Sequence, residues 1–338
     1  MSLLRFTNKG IYCEQADVYI DPWKPVNRAL ITHGHSDHAR WGNKHYLCTD
    51  RAAPVIRYRL GNEIQLESVP FGKKVHINGV QFSFHPAGHI IGSAQIRVEY
   101  KGEVWVASGD YKLEDDGLSY AYEPIKCHAF ITESTFGLPV YKWQPQEEVF
   151  EEINAWWRSN QEQGKVSLLT AYSLGKAQRL LQGLDHSIGK VYTHGAIENT
   201  NAVLRKQGIQ LPTTIRVYRD IPKNDYNGQL VLAPPSAVNS TWARRFKLVS
   251  VGIASGWMAI RGMRRRRAVD RGFLLSDHAD WEGLNTAVRA SGASRVYVTH
   301  GYTSIYARWL QEQGLDATAV KTEYEGERLE TPQPESED

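Results

Sequence analysis

The chain has 338 residues, 41% of them hydrophobic and 23% charged, the composition of an ordinary soluble globular protein. That length can bury a large core in one large or two medium domains, and no apolar run approaches the roughly 20 residues that span a bilayer. A formal charge of +3 permits an anionic partner without demanding one, so local clustering of charge has to decide.

The start, "MSLLRFTNKG", lacks the basic-then-apolar order of a secretory leader. Cys13, Cys48 and Cys127 form no CxxC pair, which argues against a disulfide framework or a thiolate zinc cluster. Both features point to a cytoplasmic location with no membrane partner. Up to about Phe136 the chain reads as short β-branched strands: "DVYI", "RALITH", "KKVHI", "VQFSFH", "AQIRVEY", "EVWVAS" and "AFITES". After the second of these a histidine-rich loop follows "RALIT". From about Gly137 helices and strands alternate, beginning with a helix over Glu147 to Gln163 that places Phe150, Ile153 and Trp157 on one face. Strands "KVSLLT", "KVYTH", "TIRVY" and "QLVLA" follow, with helices between them, which predicts a parallel, doubly wound unit. After a run of arginines, "GFLLSDHADWEGL" and "SRVYVTHGYTSIYARWL" each read strand, polar loop, helix. The expected division is 1–137 and 271–330 for one domain, 138–270 for a domain inserted into it, and 331–338 as a disordered acidic tail.

Ligand-type side chains are densest in His33-Gly34-His35-Ser36-Asp37-His38. His33 and His35, two apart on an extended segment, project to one side, and Asp37 and His38 follow on the next turn. Imidazole and carboxylate suit zinc, manganese or iron, and four such groups in six residues exceed what one structural site needs. His89 in "HPAGHIIGSA" and Asp110 in "VWVASGDYKL" each follow a strand, and Asp110 is placed to bridge two ions. Taken singly, either is as well explained as a structural residue.

Together these segments resemble the metallo-β-lactamase superfamily of binuclear hydrolases, on "HGHSDH", "AGHIIGSA", "SGDY" and the Asp21 of "VYIDP". The resemblance implies a four-layer αββα sandwich, with Asp21 orienting the ligand loop rather than touching metal. Glu133 in "FITESTFG", His278 in "LLSDHADW" and His300 in "YVTHGY" look like the additional motifs of the β-CASP nuclease branch, which surround an inserted α/β β-CASP domain. In overall length and in "SGDYKLEDDG" and "LAPPSA" the chain is similar to the bacterial ligase-associated DNA exonuclease family. Carried onto this sequence, the resemblance implies two divalent ions, zinc with manganese as the alternative. His33, His35 and His89 would hold one ion, and Asp37, His38 and His300 the other, with Asp110 bridging. Glu133 would accept a hydrogen bond from His278, the general acid. Family habit favours attack from a 5′ end.

Three further segments bear on substrate. Ser173, Gly175 and Lys176 lie where a strand turns into a helix, either a phosphate cradle or an ordinary capped helix. "ASGWM" resembles a segment of DNA crosslink-repair relatives, with Ser255 and Gly256 set against phosphate and Trp257 against a base; a core tryptophan is the alternative. Arg261, Arg264, Arg265, Arg266, Arg267 and Arg271 suit a phosphate backbone, with Arg264 and Arg266 among those facing it. The reading is a nuclease in DNA repair, DNA favoured over RNA, with a DNA ligase as a functional associate. The rivals are an RNA-processing β-CASP nuclease, a small-molecule ester hydrolase and a non-catalytic nucleic-acid-binding scaffold. Thr-His-Gly occurs at His33, His194 and His300; His194 stands in the inserted domain with no matching ligand nearby in sequence and is assigned a structural or groove role. Histidine at 300 is general on the RNA-processing side of the branch, which leaves the sugar type open.

Overall fold

Strands whose residues alternate between two cores define the architecture of the computed structural model, which describes residues 2–260 and 269–324. They fall into two compact units, 2–142 with 277–324, and 143–260 with 269–276. The first unit holds two sheets. One has the order β1 (Arg5–Phe6), β2 (Ile11–Cys13), β3 (Val18–Ile20), β4 (Arg28–Leu30), β5 (His45–Thr49), β6 (Leu66–Val69). The other runs β19 (Asp316–Ala319), β18 (Arg295–Gly301), β11 (Ala129–Ser134), β10 (Glu103–Ala107), β9 (Ala94–Tyr100), β8 (Val80–Pro86), β7 (Val75–Ile77).

Period-two alternation sorts these strands' side chains. Leu30, Phe82, Phe84, Ile96, Trp105 and Ile131 meet in one core drawn from both sheets. Ala29, Ile31, Tyr46 and Cys48 pack instead with α1 (Ala53–Leu60). Val104, Val106, Phe130 and Val298 pack with α5 (Trp281–Ser291) and α6 (Thr303–Glu312). Each large apolar side chain so buried contributes about 1.5–3 kcal/mol.

In the second unit six parallel strands form one sheet, ordered β14 (Ile215–Arg216), β13 (Val191–Thr193), β15 (Leu230–Ala233), β12 (Val166–Thr170), β16 (Val249–Ala254), β17 (Arg271–Phe273). Helices α2 (Gln146–Glu162), α3 (Lys176–Gly183) and α4 (Gly195–Lys206) all contribute to one core, with Leu169, Leu230 and Leu232. The opposite face, Leu168, Val231 and Ala233, is covered among the described residues by 3₁₀ turns that bring Tyr226, Ala237 and Phe246. The segments that cover this face are broken by Pro222, Gly228, Pro234 and Pro235, which permit a tight turn but not a helix interior. No described helix is long and apolar enough to cross a membrane.

Candidate metal centre

The ligand loop hangs from Asp21. That residue, at the end of β3 with φ of 42°, accepts three hydrogen bonds from elsewhere in the loop. Thr32 N donates to Oδ1 at 2.8 Å, and the Thr32 hydroxyl donates to Oδ2 at 2.5 Å. His38 Nδ1 reaches the same Oδ2 at 2.7 Å. A carboxylate oxygen only accepts, so His38 carries a proton on Nδ1, and Nε2 is the ring atom left to meet a cation. The Thr32 hydroxyl, having given its proton to Asp21, accepts from His33 Nδ1 at 3.0 Å, which frees His33 Nε2 in the same way. Asp21 thus sets the tautomer of two histidines, one directly and one through Thr32. Gly109, with φ of 57°, admits this arrangement, because a Cβ there would lie 2.7 Å from Thr32 Oγ1.

His89 is oriented from another element: Nδ1 donates to the main-chain oxygen of Asp277 at 2.7 Å, leaving Nε2 to face His35 Nδ1 at 3.1 Å. Asp110, in the loop after β10, lies at the centre. Its Oδ2 is 3.5 Å from His33 Nε2, 3.4 Å from His38 Nε2 and 3.8 Å from His89 Nε2, while Oδ1 is 2.7 Å from His300 Nε2. His300 sits near the end of β18 with φ of 21°, and the following Gly301 is required because a Cβ would fall 2.2 Å from Ser134 O. Asp37 Oδ2 is 3.6 Å from His38 Nε2.

These atoms suit divalent ions. Among the described residues His33, His35, His89 and Asp110 place ligand atoms within 4.8 Å of one another, as do His38, Asp110 and His300. His33 Nε2, His38 Nε2 and His300 Nδ1 are buried with no hydrogen-bond partner among the described residues. Buried polar atoms are rarely left so, and His33 Nε2 and His38 Nε2 lie 3.5 and 3.4 Å from the same Asp110 oxygen, where a cation would meet all three. Two nitrogens bound to one tetrahedral zinc lie about 3.3 Å apart, close to the 3.1 Å between His35 Nδ1 and His89 Nε2. Burial, and then the charge of His38, holds His33 well below the usual imidazole range; burial and His278 do the same for His89. Burial opposes charge on His38 and Asp110, but their attraction prevails, with His38 well above and Asp110 well below their ordinary values. A buried carboxylate beside the neutral imidazoles of His33 and His89, with His38 drawn to positive charge, is a cation site in its chemistry.

Beside it, Glu133 is fully buried on β11, where the register against β18 shifts between Thr132 and Ser134. Its Oε1 accepts from Tyr111 N at 2.9 Å, and His278 Nδ1 lies 3.0 Å from Oε1 and 2.9 Å from Oε2. The ring of His278 meets that of His89 at 4.5 Å. Asp110, Glu133 and His278 form a third group of close ligand atoms. Glu133 is already engaged by an amide and an imidazole, so its geometry is that of a hydrogen-bonded pair with His278.

The residues expected to touch nucleic acid lie in the second unit. Lys176 is fully buried, with its ammonium 5.1 Å from the Tyr172 ring centre. The Gly175 amide is taken by Gln178 Oε1 at 2.8 Å, and the amides of Ala177 and Arg179 by Tyr172 O and Gly175 O. At the start of that helix the polar side chain of Gln178 thus engages the Gly175 amide. Ser255 caps a 3₁₀ turn by accepting from Trp257 N at 3.3 Å; Gly256 is buried and Trp257 half-buried. Arg264 and Arg266 lie outside the described residues. Tyr324 was missed from sequence: it is buried against His38 and His300, and its polar surroundings, "KTEYEG", gave no apolar pattern to flag it.

No family model matches the chain. Over 314 residues, 92% of its length, it is 32% identical to a segment making up 30% of a "Probable DNA ligase" of Opitutus terrae. It is 31% identical to "Endoribonuclease YSH1" of Yarrowia lipolytica over 123 residues, 36% of this chain and 15% of that one. A "Cleavage and polyadenylation specificity factor subunit 3-I" of Arabidopsis thaliana is 27% identical over 54% of this chain and 30% of that one. The chain thus spans a third or less of these relatives. A crystal structure of a protein of unknown function from Enterococcus faecalis shares the fold, with TM-score 0.60 over 88% of this chain and 79% of that one at 10% identity.

Proposed function

The chain belongs to the β-CASP branch of the metallo-β-lactamase superfamily, and from that premise we propose that it hydrolyses phosphodiester bonds of nucleic acid with two divalent ions. The observation that carries this reading is the convergence of His33, His38, His89 and His300 on Asp110, beside the Glu133–His278 pair. The three cores of the first unit support the four-layer sandwich that such an enzyme uses.

His33, His35 and His89 would hold one ion and Asp37, His38 and His300 the other, with Asp110 shared. Bound there, zinc or manganese would polarise the phosphoryl group and lower the pKa of water. The chain's own residues do the rest. Asp21 and Thr32 hold two imidazoles in the tautomer that presents Nε2. Glu133 holds the His278 Nδ1 proton, so His278 carries its transferable proton on Nε2, where it protonates the departing oxygen.

DNA is the favoured substrate, with removal of nucleotides from a 5′ end in repair and a DNA ligase as functional associate. Support comes from the long alignment with a protein named as a ligase. The shorter alignments to proteins named as endoribonucleases favour RNA, the second reading. End-labelled DNA and RNA bearing either 5′-phosphate or 5′-hydroxyl, incubated with metal-analysed protein, separate them. Nucleotides released from 5′-phosphorylated DNA support the first reading, and internal cuts in RNA overturn it in favour of the second.

A further inference from the structure

The Thr-His-Gly copy at 193–195 joins β13 to α4 within the second unit. His194 caps that helix, accepting Ala196 N–H at Nδ1 over 3.1 Å, so its ring proton is on Nε2. Burial, then the charges of Arg216 and Arg245, holds His194 down to about 4, which keeps it neutral near pH 7. Gly195 has a steric role. A Cβ there would sit 2.9 Å from Arg216 Nη2, so the guanidinium lies where a side chain would otherwise be.

Neutral acceptors hold both arginines in place. Arg216 Nη1 donates to Asn199 Oδ1 at 2.9 Å, and its guanidinium carbon is 5.6 Å from the Tyr218 ring centre. Arg245 donates from Nε to Trp242 O at 3.0 Å and from Nη1 to Tyr218 O at 3.2 Å, with its guanidinium 5.6 Å from the Trp242 ring centre. Trp242 closes the ring of contacts, its centroid 4.7 Å from that of His194. Among the described residues neither guanidinium forms an ion pair. Two cations bear on one neutral imidazole, and carbonyl and amide oxygens orient them without cancelling their charge. The cluster also lies at the carboxyl ends of β13 and β14, the end at which open parallel sheets take ligands.

We propose that His194, Arg216, Tyr218, Trp242 and Arg245 bind a phosphate group of a nucleic-acid strand, with a neighbouring base against the aromatic rings. The guanidiniums supply planar, fixed-charge donors, and His194 Nε2 a neutral one. Tyr218, 55% exposed, offers a face on which any base stacks. This site rests on the nucleic-acid reading above and extends it to a named point of contact.

The test is fluorescence anisotropy with labelled single-stranded DNA carrying phosphorothioate linkages that resist hydrolysis, using the full chain loaded with metal. The double variant Arg216→Gln, Arg245→Gln is expected to bind at least about tenfold more weakly, with a salt slope shallower by about one to two. Arg216→Lys, which keeps charge but loses the fork, is expected to fall between, and provides the reading if the double variant is misfolded by circular dichroism. Unchanged affinity and slope in folded variants overturn this site alone. A wild-type protein that binds no DNA or RNA overturns the site and the phosphodiesterase reading together.

Discussion

The ring of Tyr324 lies flat on that of His38, with centroids 4.6 Å apart and planes 3° from parallel. Its hydroxyl donates to the main-chain oxygen of Asp21 at 3.0 Å, and its ring makes a T-shaped contact with that of His300, centroids 5.5 Å apart. One aromatic side chain therefore braces two histidines of the same proposed ion site, from a segment that supplies no ligand. Arg40 fastens that segment, donating to Glu323 O at 2.7 Å and to Asp37 O at 3.1 Å.

Tyr324→Ala should loosen His38 and His300 together while leaving His33, His35 and His89 in place. The expected result is selective loss of the second ion, with affinity down by about 10–100-fold. Calorimetric titration of the metal-free protein resolves the two sites, and Tyr324→Phe, which keeps the stack but not the hydroxyl, should retain most of the affinity. Equal weakening of both sites in Tyr324→Ala would refute a local bracing role.

Asp21→Asn tests the tautomer argument. An amide cannot accept from Thr32 N, the Thr32 hydroxyl and His38 Nδ1 at once, because one of its two ends is now a donor. Leaving a buried donor unmatched costs about 1–3 kcal/mol, so the metal-free variant should unfold at lower denaturant. Metal affinity should fall by about 10–100-fold as His33 and His38 lose their fixed tautomers. Destabilisation with unchanged affinity would assign Asp21 to folding alone.

Much of this site was legible because its ligands are close in sequence. The spacing of His33, His35, Asp37 and His38 is a local signal that survives without a fold. Glu133 and His278 are 145 residues apart and became a pair only through a resemblance, since nothing local in "TEST" or "SDHAD" refers to the other. Tyr324 was illegible, because ring stacking is decided by tertiary placement. Burial is as hard to read locally: Lys176, a cation next to a glycine, is fully buried beside Tyr172. Helix α1 also escaped notice, since "APVIRYRL" carries Arg57 and Arg59 and buries only Ala53, Val55 and Ile56. Burial on so narrow a face leaves almost no periodicity to read.

Acid should weaken the second unit through His194. Its folded pKa of about 4 lies below the ordinary 6.5, so between these values the unfolded chain binds a proton that the folded one refuses. The contribution is absent above about pH 6.5, grows more unfavourable as pH falls toward 4, and levels off below. His194→Asn retains a capping oxygen but cannot titrate. Its denaturation midpoint should therefore shift less between pH 7 and pH 5 than that of the wild type; identical shifts in both proteins would rule His194 out as the source.

The proton-donor assignment makes the sharpest kinetic prediction. His278→Ala removes the Nε2 donor but none of the seven proposed ligands, so metal content measured by elemental analysis should stay near wild type. Turnover on an ordinary phosphodiester should fall by about 10²–10⁴-fold, the usual worth of a general acid. A substrate with a p-nitrophenolate leaving group needs little protonation, and there the loss should shrink by at least about tenfold. Glu133→Gln should act in the same direction but more weakly, because a neutral amide still fixes the ring through its oxygen while stabilising the imidazolium less. If His278→Ala instead loses metal, or loses both substrates equally, His278 belongs with Asp110 and Glu133 as a ligand group rather than as the acid.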